Sequence, residues 1–405
     1  MSAVRALVWG VIILLFALPL SSTVAFKLFA GQRAETLGLS WFNLAGEIPE
    51  VDKPQFSLRH WVNRSFQDQS NKWFTRYFGG RSIFIKSGNQ VIYTLFKHSY
   101  MHNQSIVIGK QGELYESWYV YDYCRLSEPM PDRNLEDRVA DIAELQERLK
   151  ARGIIFLFLI TPSKAAVYPE SIPEAYCKSP KSSTRDYENV LPLLKAYGIS
   201  YVDGHAISTE ARTIEPLPLF SRGGTHWNTL GAYYTVRELV KTIGTLLAEP
   251  VGSMSVEKIQ VDSTPRGQDK DLAQLLNLLF PPFDYAVPRP VIVQTPTRVQ
   301  LEKALVVGTS FNWTVLDLLA NSNVFERIDF YYYYKLGLYT FPGKIPHVFD
   351  VATHDWDQAM RGSRIVILEV NEAGFQTEYI QSFLRDVLED LQEKRSRVES
   401  TRSPE

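Results

Sequence analysis

The chain has 405 residues, room for one large domain with appendages or for two modest ones. Apolar residues make up 45% and charged residues 22%, values of an ordinary packed protein, which exclude wholesale disorder. A formal net charge of -2 with no basic stripe or long Lys/Arg block argues against a protein that grips nucleic acid by charge.

From the start, Ala6 to Leu20 is an apolar run behind Arg5, with no further charge until Lys27. It reads as a signal anchor or as a cleavable signal peptide over 1–26, with small residues at Ser21 to Ala25 for a peptidase. Either way the rest of the chain is expected outside the cytoplasm. Phe26 to Val51 is irregular. From Phe56 to Leu95 apolar and aromatic residues recur at helical spacing, broken by Gly79-Gly80, so 27–100 is expected to be a helical lead-in.

The main α/β domain is expected over 101–394. Ser105 to Leu114 reads as strand, glycine turn, strand, and Leu135 to Lys150 as an amphipathic helix ending near Gly153. Ile154 to Ile160 is a continuous apolar run, the pattern of a central parallel strand covered on both faces. Tyr187 to Tyr197 follows as a helix, Ile199 to Val202 as a short strand and Leu230 to Leu247 as a helix. Glu249 to Val291 is the least regular stretch, expected as a loop-rich insertion over the site. Ala304 to Val307 is a buried strand, Asn312 to Ala320 a helix, Ile365 to Val370 a strand and Thr377 to Lys394 a last helix, before a loose tail at 395–405. Strands alternating with helices predict a parallel α/β sheet.

Two cysteines, Cys124 and Cys177, can close a loop in an exported protein; the alternative is a pair of reduced, partly buried thiols. Neither has metal-ligand spacing, and the histidines are scattered, so no metal is expected. The aromatic run Phe330 to Lys335 suits a sugar groove or, equally, a core strand.

Two segments carry chemistry. Leu305 to Phe311 runs a buried strand into Gly308-Thr309-Ser310 with a helix just after, which sets a hydroxyl at the carboxyl end of a strand beside helix N–H groups. Acyl transfer needs both a nucleophile and an oxyanion site; the plainer reading makes Ser310 a helix cap. In Gly223 to Ala232, His226 sits in a polar loop before a helix, flanked by Trp227 and Asn228, where an imidazole can take a hydroxyl proton. Asp203-Gly204-His205 has an acid-x-His spacing but directly follows a strand, and reads as a strand end.

Together these segments resemble the AlgX/AlgJ group, the DHHW family of SGNH-hydrolase-like proteins of exopolysaccharide acetylation. The resemblance runs from about Lys53 to Leu384. It includes Trp73-Phe74 with Phe78, Arg81 and Leu95-Phe96; Ile108 to Tyr115; Thr161 to Lys164 with Tyr168-Pro169; Gly267 to Leu272; and Ile365 to Val370. The histidine segment precedes the serine segment, as in that family. The resemblance implies an O-acetyltransferase in which Ser310 carries the acetyl group and His226 moves the protons. Thr309 and Ser310 would hold the oxyanion with nearby helix amides, and Asn312, Trp227 and Lys164 are further candidates for oxyanion or substrate contact. It also implies a membrane-bound O-acyltransferase as acetyl donor, other export proteins as partners, an inner-membrane periplasmic location and no cofactor.

The family's Asp-x-His-Trp motif has Gly224 in place of the aspartate, and Asn371-Glu372-Ala373 replaces its Glu-Arg. The missing acid leaves three readings: a replacement among Asp203, Glu215 and Asp355, a Ser–His dyad, or a silent polysaccharide-binding subunit. An O-acetyl esterase would use the same residues.

Overall fold

A computed structural model describes residues 44–46, 50–78, 81–99, 106–295 and 300–402, with a few isolated positions before 18 and side chains as far as 392. The expected export segment, its cleavage region and the Gly79-Gly80 break lie outside the described residues. No described helix is long and apolar enough to cross a membrane. The chain divides into two compact units, Met1–Gln104 with Leu272–Pro282, and Ser105–Asp271 with Phe283–Glu405.

The first unit contains α1 (Leu58–Val62), α2 (Ser65–Tyr77) and α3 (Arg81–Phe96). Ser57 starts α1 by accepting from the His60 N–H at 3.1 Å, a side-chain cap on a free helix donor. The returning segment is held by polar side chains: Asn89 of α3 donates to the Leu276 carbonyl at 3.0 Å, and Asn277 exchanges two bonds with Ala45.

The second unit carries the sheet. Its strands are β1 (Ile106–Ile108), β2 (Leu114–Glu116), β3 (Ile155–Thr161), β4 (Tyr201–Asp203), β5 (Ser253–Asp262), β6 (Val287–Thr295), β7 (Leu301–Gly308), β8 (Phe325–Tyr332), β9 (Gly337–Phe341), β10 (Ile345–His347) and β11 (Ser363–Asn371). The helices used below are α4 (Ser117–Tyr123), α5 (Asp132–Lys150), α6 (Lys164–Val167), α7 (Asp186–Ala196), α8 (Gly204–Ile214), α9 (Thr229–Leu247), α10 (Asn312–Asn321) and α11 (Glu378–Arg402).

Seven strands form one sheet in the order β10-β9-β8-β7-β11-β3-β4. β8, β7, β11, β3 and β4 are parallel, as the alternating pattern predicts. The last two strands are antiparallel and extend the edge beyond it, because a tight turn with positive φ at Tyr333 and Tyr334 sends the chain straight back along β8. The run Phe330 to Tyr332 belongs to β8, with Phe330 and Tyr331 buried.

Side chains alternate across the sheet into two cores. Leu157, Leu159, Val306, Ile365 and Ile367 face α9 and α10, and Phe156, Phe158, Ile160, Leu305, Val366 and Leu368 face α5, α7 and α11. Leu157 to Ile160 are fully buried, each worth about 1.5–3 kcal/mol in apolar surface removed from water. That double burial is why β3 reads as an unbroken apolar run.

Two expectations change. The stretch Glu249 to Val291 is not mainly loop: β5 pairs along its length with β6 as an antiparallel ribbon, which frames the connection at 263–286. α11 continues to Arg402 where a loose tail is expected.

Cys124 and Cys177 are joined by a disulfide that ties the end of α4 to the segment before α7. It closes a loop across 53 residues of separation. Chain-entropy arguments put such a cross-link at about 4 kcal/mol. Replacing both cysteines with serine is expected to lower the urea unfolding free energy by about that amount, measured on matched samples without reductant.

Candidate active site

The site is built at the carboxyl ends of β7, β11 and β3. β7 ends at Gly308, and the chain turns through Thr309 and Ser310 into α10. Gly308 is required by space: a Cβ there would sit 2.3 Å from Asn312 Nδ2 and 2.4 Å from Glu369 Oε2. Glu369, on neighbouring β11, is fully buried directly beneath this turn. It accepts from the Thr309 N–H at 2.6 Å, from Thr309 Oγ1 at 3.1 Å, from Asn312 Nδ2 at 2.8 Å and from the Thr161 hydroxyl of β3. Burial pushes its carboxyl up to about 7 despite those donors. The serine turn is therefore pinned from below by one carboxyl group.

His226 comes from the loop that leads into α9. The loop closes on itself through the Asn228 N–H to the Leu219 carbonyl at 2.9 Å, and Asn228 caps α9 by accepting from the Gly231 N–H at 3.0 Å. Lys164 holds the loop from below. Its buried ammonium donates to the carbonyls of Leu114, Ser221 and Arg222 at 2.8–3.0 Å and pairs with Glu113 at 2.8 Å. Burial lowers its pKa, and Glu113 opposes that shift.

His226 Nε2 lies 2.8 Å from Ser310 Oγ, and Nδ1 lies 2.6 Å from Asp271 Oδ2. In the tautomer that satisfies both, Nδ1–H donates to the carboxylate and Nε2 accepts from the serine hydroxyl. The other oxygen of Asp271 accepts from the Thr225 N–H at 2.9 Å, so the acid is fixed to the same loop as the imidazole. The His226 ring rests 4.8 Å from the Phe311 ring.

Asp271 lies in the connection between β5 and β6. Asp269 seats that segment: it accepts from Ser221 Oγ at 2.9 Å and from Arg289 Nη2, on β6, at 2.6 Å. The same segment explains the altered motif. A Cβ at Gly224 would come within 2.4 Å of the Gln268 carbonyl oxygen, so the backbone that delivers Asp271 occupies the space a side chain at 224 would need.

None of the three acids considered from sequence serves the imidazole. Asp203 ends β4, accepts from the Tyr187 hydroxyl at 2.9 Å and caps α8 through the Ala206 N–H. Glu215 accepts from the Tyr234 hydroxyl at 2.8 Å, and Asp355 caps a short helix through the Gln358 N–H at 2.8 Å. His205 is not an ordinary surface residue: its Nδ1 lies 2.5 Å from the buried Glu372 carboxylate.

The four candidate oxyanion or substrate residues are committed elsewhere. The Thr309 N–H and the Asn312 amide both donate to Glu369. Trp227 is buried and donates to the Phe311 carbonyl at 3.3 Å, and Lys164 is sealed inside. Two groups missed in the sequence border the Ser310–His226–Asp271 set. Tyr333 donates its N–H to the Gly308 carbonyl at 2.8 Å, and its phenol sits beside the Ser310 hydroxyl; burial pushes the phenol up to about 12, so it stays protonated. Glu116, at the end of β2, accepts from Thr225 Oγ1 at 3.3 Å, with its pKa raised by burial and opposed by His226. Among the described residues there is no cluster of side chains fit to hold a metal.

A hydroxyl on a strand-to-helix turn, an imidazole and a carboxylate at the carboxyl edge of a mainly parallel sheet make the set of groups that serine acyl transfer requires. The family model described as SGNH hydrolase-like domain, acetyltransferase AlgX, matches residues 106–311, half of the chain, and the chain belongs to that family. Among known proteins it is 30% identical over 207 residues to the probable alginate O-acetylase AlgJ of Pseudomonas aeruginosa, covering 51% of this chain and 48% of that one. It is 28% identical over 217 residues to the protein of the same name from Azotobacter vinelandii, covering 52% and 51%. The chain spans about half the length of the curated relatives it matches. Among solved structures, the O-acetyltransferase domain of Pseudomonas putida AlgJ aligns with a TM-score of 0.44 at 16% identity, over 69% of this chain and 99% of that one.

Two outcomes test this geometry. Gly224→Asp, which rebuilds the family motif, is expected to destabilise by about 1–3 kcal/mol, as overpacking against fixed backbone does; denaturant titration measures it. Glu369 has its folded pKa raised from 4.5 to about 7. Its contribution is therefore complete below about pH 4.5 and lost as pH rises through about 7. The loss is on the order of 3 kcal/mol. Glu369→Gln is expected to flatten that part of the stability–pH curve.

Proposed function

We propose that this protein is an exported O-acetyltransferase acting on a secreted polysaccharide through an acetyl-serine intermediate. The observation that carries the reading is the continuous Asp271–His226–Ser310 chain, with contacts of 2.6 and 2.8 Å. The names of the AlgJ relatives support the acetylated polysaccharide as substrate class. The apolar run Ala6 to Leu20 supports export and attachment to the inner membrane. The disulfide suits an oxidising compartment such as the periplasm.

Ser310 Oγ attacks the acetyl carbonyl carbon of the donor while His226 Nε2 takes the hydroxyl proton. Asp271 holds the ring in its tautomer and stabilises the imidazolium. The Ser310 N–H, which has no acceptor among the described residues, and the Tyr333 phenol receive the oxyanion. Collapse expels the donor's leaving group, which takes the proton from Nε2. A sugar hydroxyl then attacks the acetyl-serine, giving its proton to Nε2, and collapse returns that proton to Ser310. A membrane-bound O-acyltransferase delivers the acetyl group to the donor side, with other export proteins passing the polymer.

The motive for a silent binding subunit is the glycine at 224, and Asp271 removes it. An esterase would use the same groups; transfer requires that sugar rather than water reach the acetyl-serine.

With an activated acetyl ester as donor and an oligosaccharide as acceptor, Ser310→Ala is expected to abolish acetylated sugar, and Asp271→Asn to lower its rate by about 10⁴-fold. A sulfonyl fluoride is expected to add one mass label, at Ser310. Undiminished transfer by Ser310→Ala would sink the reading, and free acetate as sole product would make the protein an esterase.

A further inference from the structure

α3, in the first unit, has its faces reversed. At about 3.6 residues per turn, Ser82, Lys86 and Asn89 share one side of it, and Phe84, Gly88, Val91 and Leu95 the opposite side. The polar side is turned inward: Ser82 and Lys86 are 8% and 9% exposed, and Asn89 donates to the Leu276 carbonyl at 3.0 Å. The apolar side is turned out, with Phe84, Val91 and Leu95 at 48%, 53% and 69% exposure. A helix packed in water does the opposite, because apolar surface left outside forfeits what burial would contribute.

α1 repeats the feature on a smaller scale. Leu58, Trp61 and Val62, at i, i+3 and i+4, are all exposed. Trp61 joins an aromatic knot with Phe56 and Phe66, ring centroids 5.3–6.1 Å apart. Exposed apolar patches of this kind mark a surface that meets a partner or a membrane.

Charge and length choose the partner. From Leu58 to Lys97 the sequence holds seven Lys or Arg and a single acid, Asp68, in a chain whose net charge is -2. Arg59 and Arg64 bracket Trp61 and Val62; Arg81 and Lys97 stand at the two ends of α3, with no charge from Ser87 to Phe96. Such a surface fits anionic lipid: rings and methyls enter the acyl boundary, and long basic side chains reach the headgroups. A second copy of this chain would bring the same excess of cations and be repelled. With 16 residues α3 falls short of the roughly 20 that span a bilayer, and its other face is polar and inward. It suits a helix lying in the plane of the interface.

We propose that the outward faces of α1 and α3 bind an anionic lipid surface and seat the helical lead-in on the membrane. This contact is separate from the Ala6 to Leu20 run and needs nothing from the acyl-transfer reading.

The test uses the full chain with one added cysteine, Val91→Cys or Leu95→Cys, carrying a bimane label; Cys124 and Cys177 are joined and do not react. The protein is reconstituted into phosphatidylcholine vesicles with or without one-third phosphatidylglycerol, a fraction of the lipid bearing a nitroxide near the carbonyl end of its acyl chains. With phosphatidylglycerol, the nitroxide is expected to quench both labels at least twofold. Omitting phosphatidylglycerol is expected to halve that quenching, as is combining Arg59→Gln, Lys72→Gln and Lys97→Gln. Absence of flotation with anionic vesicles, or labels that stay unquenched on floating protein, would overturn the proposal. Quenching indifferent to both phosphatidylglycerol and the glutamine substitutions would overturn it as well. Labels shielded from iodide but untouched by the nitroxide lipid would assign the face to a protein instead. Flotation with pure phosphatidylcholine reads the Ala6 to Leu20 anchor by itself, and sulfonyl labelling of Ser310 reads the acyl-transfer proposal.

Discussion

An imidazole can pass protons on demand only if both of its nitrogens are held, and in this protein each is held by a different part of the chain. Ser310 stands on the turn after β7, and Asp271 arrives in the connection between β5 and β6. His226 itself lies in the loop before α9. Three segments far apart in sequence must be placed to within a few tenths of an ångström, and most of the polar architecture around the site serves that placement.

Two buried ionisable groups do much of it. Glu369 gathers donors from Thr161, Thr309 and Asn312, which ties the serine turn to the two neighbouring strands. Lys164 gathers carbonyls from β2 and from the histidine loop and meets Glu113. A buried charge is expensive unless its hydrogen bonds are complete, so each group demands a unique arrangement of its neighbours. Such networks fix the geometry around the reacting atoms more firmly than apolar packing, which tolerates small shifts.

The altered histidine motif is a case of substitution in space. The carboxylate belongs beside Nδ1, and the chain can bring it from the residue two before the histidine or from a passing segment. Gly224 and the Gln268 carbonyl are too close for both routes to coexist. The connection between β5 and β6, seated by Asp269 on Ser221 and on Arg289 of β6, is the device that makes the second route rigid.

The sequence alone determined the elements whose signal is local. The unbroken apolar runs at 154–160, 304–307 and 365–370 are buried on both faces, and the glycine-serine turn and the histidine loop each announce themselves by what precedes a helix. Those signals were enough for a mainly parallel sheet, while the pairing of Ser310 with His226 came from the family resemblance that the two segments carry together. Only the tertiary structure decided which acid completes the set, because Asp271 is one carboxylate among 45 acidic residues and, although Gly267 to Leu272 shares in the resemblance, nothing local says that this segment folds against the imidazole. It likewise decided that Lys164, Thr309, Asn312 and Trp227 are bracing groups and that Tyr333 reaches the hydroxyl. A side chain's partner depends on which distant segment folds over it, and that information is spread along the whole chain.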